Sequence, residues 1–209
     1  GYSFGAHSVE RATECGARLG ISVDNGTSAH DTLADLASAG IDVVVTDPHE
    51  PQPDRELPRA VAIVNPKLPA GASYPFRELC GAAVAFKLAW GVAQVFEGTD
   101  RVSSRLRDFL VEAMSYVAIA TVCDVVPLIG ENRILARAGL KSLAATKHAG
   151  LRALLEASGI ADRKLGGEDV GFRIGPRLNA SGRLGSARTA LELLLCEDAR
   201  EAKTLAARL

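Results

Sequence analysis

The segment from Ile21 to Glu50, "ISVDNGTSAHDTLADLASAGIDVVVTDPHE", decides the fold because two apolar runs flank one helical run. Its first three residues predict a short strand, which the turn sequence "DNG" ends. Ser28, with Asp31 three residues later, resembles a capping box that opens a helix, and Gly40 marks the helix end. The run from Ile41 to Thr46 predicts a second strand. Strand, helix and strand in this order predict a βαβ unit and a parallel sheet.

The elements around this segment extend the α/β pattern. A helix is predicted from Ser8 to about Leu19, and a third short strand around Ala62 to Val64. After Leu79, apolar residues recur at helical spacing, with candidate helices at 80–96, 104–122, 132–143 and 151–158. Spacings of three and four between residues 187 and 209 predict one long amphipathic helix. We expect a Rossmann-like parallel sheet flanked by helices in residues 1–148, followed by a helical segment ending in this long connecting helix in residues 149–209.

The composition is that of an ordinary globular protein, with 47% hydrophobic and 23% charged residues among 209. The four cysteines form no C-x-x-C pair, which favours reduced thiols and a cytoplasmic location. No apolar run is long enough to span a bilayer, so no membrane partner is expected. The formal net charge of −1 neither indicates nor excludes a nucleic-acid partner, since a local patch can suffice. Because the chain begins at Gly1 without methionine and ends in a helical run, we expect a piece of a longer protein.

Three aspartates follow predicted elements. Asp24 and Asp47 lie at the carboxyl ends of two predicted strands, where parallel α/β sheets bind ligands. Because neighbouring strands lie about 4.8 Å apart, their carboxylates can converge on one cation. Asp124 follows a predicted helix in "ATVCDVVPL" and is a third candidate. Carboxylates with histidine and no thiolate suit Mg²⁺ or Mn²⁺.

Each of these residues also has a purely structural interpretation. Asp24 in "DNG" and Asp47 before Pro48 are both typical of turns. Asp124 can simply cap a turn, and a lone His49 is more often a surface loop residue than a ligand. Taken singly, none of these positions indicates a function.

The segment from Gly171 to Arg188, "GFRIGPRLNASGRLGSAR", contains four arginines and no acid. The planar guanidinium suits phosphate oxygens, and the glycines at positions 175, 182 and 185 can let a backbone approach a ligand closely. The alternative is that these arginines pair on the surface with Glu168, Asp169 and Glu192.

The motifs "VDNGTS", "VVTDPHEP", "AIVNPK", "YPFRELCGAAVAFKL", "ATVCDVVPLIGENR" and "DVGFRIGPRLNASGRLG" occur in one order over almost the whole chain. This series resembles the DHH phosphoesterases and, within them, the RecJ-type single-strand-specific exonucleases. The resemblance implies a catalytic core that uses two Mn²⁺ or Mg²⁺ ions to attack a phosphodiester. It implies that Asp24, Asp47 and Asp124 are catalytic metal ligands and that His49 is a catalytic residue beside the substrate phosphate.

The same resemblance implies how the protein meets its substrate. Arg177 and Arg183 match residues that contact phosphates, Arg173 lies in the same motif, and Asn179 would position the strand or the loop. The expected activity is 5′-to-3′ digestion of single-stranded DNA in repair and recombination. Repair proteins are expected partners through further domains of the parent protein.

Two departures from the family pattern are visible. Pro48 stands where the family triplet has a metal-binding histidine, and proline cannot ligate a metal. The family's earlier Asp-x-Asp-Gly motif is absent from this sequence. We therefore expect weak nuclease activity from this chain. Two alternatives are a non-catalytic DHH-type scaffold that binds nucleic acid or protein, and another DHH phosphodiesterase that acts on oligonucleotides or cyclic dinucleotides.

Overall fold

The computed structural model describes residues 4–68, 74–183 and 187–209, except for the side chains of residues 180–183. The chain forms two compact units, Gly1–Val102 and Ser103–Leu209. The division into functional domains at residues 148 and 149 stays a prediction. None of the helices described is both long and apolar enough to cross a membrane.

The first unit is built on a parallel three-stranded sheet in the order β1-β2-β3. Its elements are α1 (Ala6–Glu14), β1 (Leu19–Val23), α2 (His30–Ser38), β2 (Asp42–Thr46), β3 (Ala62–Val64) and α3 (Gly81–Glu97). Leu33 and Leu36 of α2 pack on Ile41, Val43 and Val45, so the alternate residues of β2 fill one core. The predicted α/β class, with a parallel sheet flanked by helices, is confirmed.

Some element ends in this unit differ from the prediction. The first helix ends at Glu14 rather than near Leu19, because Gly16 adopts a left-handed φ of 65° and Leu19 already starts β1. The predicted capping box is wrong, since Ala29 is the N-cap of α2 and makes no side-chain cap bond. Gly40 does end α2, with a φ of 75° that glycine tolerates best.

The second unit is helical. Its elements are α4 (Ser104–Cys123), α5 (Gly130–Ala144), α6 (Ala149–Ala157), α7 (Gly167–Asp169), one π-helical turn (Val170–Ile174), α8 (Gly175–Arg183), α9 (Arg188–Leu195) and α10 (Ala199–Ala206). Leucines of α6 pack with Ile174 and Leu193 in its main core. The long amphipathic helix predicted for the chain end is wrong. Asp198 accepts bonds from the amides of Arg200 and Glu201 and so caps a new helix, which separates α10 from α9.

Candidate active site

Each of the three strands of the first unit is followed directly by a polar residue. Asp24 follows β1, Asp47 follows β2 and Asn65 follows β3. The amide of Asp24 donates to the carbonyl of Thr46 at 2.9 Å, and the amide of Asp47 donates to that of Val64 at 3.1 Å. The sheet ladder therefore extends by one residue, and the backbones of the three polar residues lie side by side at the carboxyl edge of the sheet.

Asp47 is an almost fully buried acid of this edge, with only 2% of its surface exposed. Its Oδ2 accepts from the amide of Thr27 at 2.8 Å. Its Oδ1 accepts from the amide of His49 at 3.1 Å and lies 2.6 Å from the Nδ1 of the same residue. Burial by itself would raise the pKa of Asp47, but these hydrogen bonds outweigh it and hold the pKa below its ordinary value of 3.8. Asp47 is therefore a carboxylate at neutral pH.

Pro48 lies inside the turn that this carboxylate closes. The bond from the His49 amide to the Asp47 side chain spans two residues and forms an Asx-turn. A proline at the middle position presets φ for such a turn and gives up an amide that the turn does not use. Pro48 is itself buried, so it contributes to the local packing. The proline has a structural role here, although it supplies no metal ligand.

His49 turns outward from the same turn, and its side chain is 68% exposed. Since Asp47 is ionised, Nδ1 of His49 carries the hydrogen and donates it to Oδ1. This bond fixes the orientation and tautomer of the ring. It leaves Nε2 as the ring nitrogen that can meet a ligand.

Asn65 and Thr27 belong to the site, and sequence reasoning missed both of them. Both are buried. The Nδ2 of Asn65 donates to the Thr27 hydroxyl at 3.0 Å and to the His49 backbone oxygen at 2.8 Å. The two residues therefore join the ends of all three strands into one hydrogen-bonded network. The signal that could have found Asn65 is its position directly after an apolar strand, before Pro66.

Asp24 occupies a different part of the edge. It adopts a φ of 65°, which is rare for residues other than glycine but tolerated by aspartate. A side chain at Gly81, the first residue of α3, would collide with the Asp24 carboxylate. Gly81 therefore lets Asp24 approach the start of α3, where the partial positive charge of the helix end favours an anion.

Asp124 lies at the end of α4 in the second unit. Its amide donates to the carbonyl of Ala120 at 2.8 Å, and Val125 after it has a φ of 57°. It is thus the C-cap of α4, which agrees with the structural alternative without deciding its function. Burial raises the pKa of the neighbouring Cys123 thiol, and the charge of Asp124 adds to this effect.

The arginine segment spans the π-helical turn, α8 and the start of α9. Arg188 lies 2.8 Å from Glu192, so the surface-pairing alternative is confirmed for this arginine. Arg173 lies 3.9 Å from Asp169, a longer contact to a carboxylate that also accepts from Arg163. Arg177 is half-buried and Asn179 is exposed. The Arg183 side chain lies outside the described part of the chain. Gly175 has a packing role, because a side chain there would collide with the Sγ of Cys123.

The structure thus brings some of the predicted site residues together. Asp47 and His49 are in contact, and Asp24 follows the neighbouring strand. Asp124, Arg173, Arg177 and Asn179 belong to the other unit. Among the described residues, no group of three or more histidine, cysteine, aspartate and glutamate side chains is arranged to hold a metal ion.

The chain belongs to the DHH family, since residues 5–119 match the model of its N-terminal domain. Among curated proteins it is similar to the single-stranded-DNA-specific exonuclease RecJ of Bacillus subtilis, with 41% identity over 99% of this chain and 24% of that protein. The RecJ of Escherichia coli is 40% identical over 99% of this chain and 36% of its own length. The chain therefore spans about a quarter to a third of these relatives.

Solved structures agree with this assignment. The crystal structure of exonuclease RecJ bound to manganese has a TM-score of 0.82 and 35% identity, covering 100% of this chain and 49% of that one. The structure of RecJ from Thermus thermophilus in complex with Mn²⁺ has a TM-score of 0.79 and 36% identity, covering 96% of this chain and 28% of that one.

Proposed function

We propose that this chain is part of a single-stranded-DNA-specific exonuclease that hydrolyses phosphodiester bonds from 5′ to 3′ in DNA repair and recombination. The observation that carries the proposal is the ionised Asp47 paired with an exposed His49 at the carboxyl edge of the sheet, in a chain 41% identical to a RecJ exonuclease. A cytoplasmic location and repair-protein partners bound through further domains are part of the same proposal.

The donor set at the sheet edge fits a hard divalent cation such as Mn²⁺ or Mg²⁺. Asp47 is ionised, so its carboxylate has the charge and the oxygen atoms that such a cation prefers. Asp24, Asp47 and Asp124 are the proposed metal ligands, whereas Pro48 is unfit to be one. A bound ion would supply charge stabilisation and activate water.

The residues of this chain would position the substrate. Asp47 holds the ring of His49 through Nδ1, and an imidazolium with both nitrogens protonated would donate from Nε2 to a phosphate oxygen of the single strand. In the second unit, Arg177, Arg183 and Asn179 are the proposed contacts to the DNA backbone. Arg173 is a weaker candidate, since it lies beside Asp169.

The test is to restore the missing ligand. We expect little Mn²⁺-dependent hydrolysis of a 5′-phosphorylated single strand by the chain as it stands. Pro48→His should raise the affinity for Mn²⁺ about tenfold or more, measured by isothermal titration, because an imidazole replaces a residue that cannot ligate. Pro51→His places the same side chain three residues away and is the matched control. Equal Mn²⁺ affinities for the two variants would contradict the proposed site.

A second candidate function is that of a non-catalytic scaffold, and Pro48 favours it because this proline serves the turn rather than a metal. A scaffold would bind single strands in EDTA and remain inactive with histidine at position 48 and the Asp-x-Asp-Gly motif supplied. A phosphodiesterase for oligonucleotides or cyclic dinucleotides would instead favour those substrates over a long strand.

A further inference from the structure

Beside the Asp47–His49 pair, two cationic side chains of the first unit face a single carboxylate. The Nζ of Lys67 lies 3.7 Å from Oε1 of Glu50, and Nη2 of Arg77 lies 3.6 Å from its Oε2. None of these three residues is among the proposed metal ligands or the proposed phosphate contacts. Two positive charges against one negative charge leave this cluster with a net charge of about +1.

Hydrogen bonds connect Lys67 and Arg77 to the network at the sheet edge. The amide of Lys67 donates to Oδ1 of Asn65 at 2.7 Å, and Nη2 of Arg77 donates to the Lys67 carbonyl at 3.1 Å. Asn65 in turn donates to the backbone oxygen of His49. The Lys67 backbone and the Arg77 guanidinium are therefore tied through Asn65 to the turn that carries His49, the residue proposed to meet the substrate phosphate.

Glu50 is a poor permanent partner for these cations. Both contacts are longer than the 2.7–2.9 Å typical of a charge-assisted hydrogen bond. Glu50 is 66% exposed, so its attraction is weakened by solvent. Lys67, by contrast, is only 23% exposed. A phosphate offers more oxygens and at least as much charge, and could bond to both cations at once.

We propose that Lys67 and Arg77 form a second phosphate-binding site, which takes a DNA phosphate next to the one at His49. Glu50 occupies the position of this phosphate when no DNA is bound and competes with it. The inference rests on the proposed function, which supplies the single strand as ligand. The phosphate is either the 5′-terminal one or one within the backbone.

The experiment measures binding of a fluorescent oligothymidine in EDTA, so that no hydrolysis is needed. Lys67→Gln and Arg77→Gln should each weaken binding about five- to tenfold and lower the salt slope by about 0.7, as loss of one single-strand phosphate contact does. Arg55→Gln removes one exposed positive charge from the loop between β2 and β3 and is the matched control. If the variants lose affinity only for a strand with a 5′-phosphate, the site binds the terminal phosphate. If they lose the same affinity for a strand with a 5′-hydroxyl, the site binds a backbone phosphate.

Glu50→Gln supplies a result that misfolding cannot imitate. It should tighten binding severalfold because the competing carboxylate is gone, whereas Glu56→Gln, the same charge change at an exposed position in the loop between β2 and β3, should leave the affinity nearly unchanged. The gain should disappear when Lys67 and Arg77 are also replaced by glutamine. The inference is overturned if Lys67→Gln and Arg77→Gln bind the strand as tightly as Arg55→Gln, or if Glu50→Gln binds it no more tightly than Glu56→Gln. It is also overturned if the wild-type chain does not bind the strand. The hydrolysis assay then judges the proposed function separately.

Discussion

The Asp47 carboxylate accepts three hydrogen bonds while almost entirely buried. Its position was predictable, because an acid directly after an apolar run stands at the ligand-binding edge of a parallel sheet. Its partners were less so. Thr27 lies twenty residues away in the chain, and only the pairing of β1 with β2 brings its amide to Asp47.

Replacing Asp47 with asparagine should lower the free energy of unfolding by about 1–3 kcal/mol at pH 7, since an amide cannot satisfy the same donors. The folded-state pKa of Asp47 is lowered, so its stabilising effect is complete above the ordinary value of 3.8 and is lost as pH falls through the folded-state pKa. The difference in unfolding free energy between wild type and variant should therefore begin to shrink below about pH 4 and vanish only below the folded-state pKa. Urea unfolding at pH 7, 5 and 3 measures this difference, with the exposed Asp54→Asn as control. A difference in unfolding free energy that stays constant down to pH 3 would contradict this prediction.

At the scale of elements, periodicity predicted most of the helices and strands but not all of their ends. The strand at Ala62–Val64 was predicted with the correct bounds, and helix α4 to within one residue. The long terminal helix was wrong because the apolar spacing continues across the break at Asp198. Asp198 followed by Glu201 has the spacing of a capping box, a signal that outranks periodicity at that point.

The packing of α4 on α5 depends on Gly139, which no sequence pattern singled out. A side chain there would collide with the carbonyl oxygen of Met114, so Gly139→Ala should destabilise the protein by about 1–3 kcal/mol. Gly91 in α3 has nothing within 4 Å of its would-be side chain, and Gly91→Ala should instead stabilise by about 0.4–1 kcal/mol. Chemical denaturation of both variants tests the pair. Effects of the same sign would mean that helix propensity, rather than the close approach, governs Gly139.

Across the whole molecule, charge is nearly balanced, with a formal net charge of −1. Attraction to a polyanion must therefore come from local groups rather than from the overall field. Composition alone could not show which arginines remain available, because pairing depends on the fold. In the structure Arg188 pairs with Glu192, whereas Arg177 is half-buried.

The pairing of Arg188 with Glu192 leads to a prediction about the arginine segment. Arg177→Ala should weaken single-strand binding in EDTA and reduce the slope of log K against log salt by about 0.7, the value for one lost phosphate contact on a single strand. Arg188→Ala removes the same charge from the same segment but should leave the slope nearly unchanged, since Glu192 already pairs with that guanidinium. Fluorescence anisotropy titrations of both variants at salt concentrations from about 50 to about 200 mM measure these slopes. Each phosphate contact releases counterions, so losing one must reduce the salt slope. Equal slopes for Arg177→Ala and wild type would therefore remove Arg177 from the proposed DNA contacts.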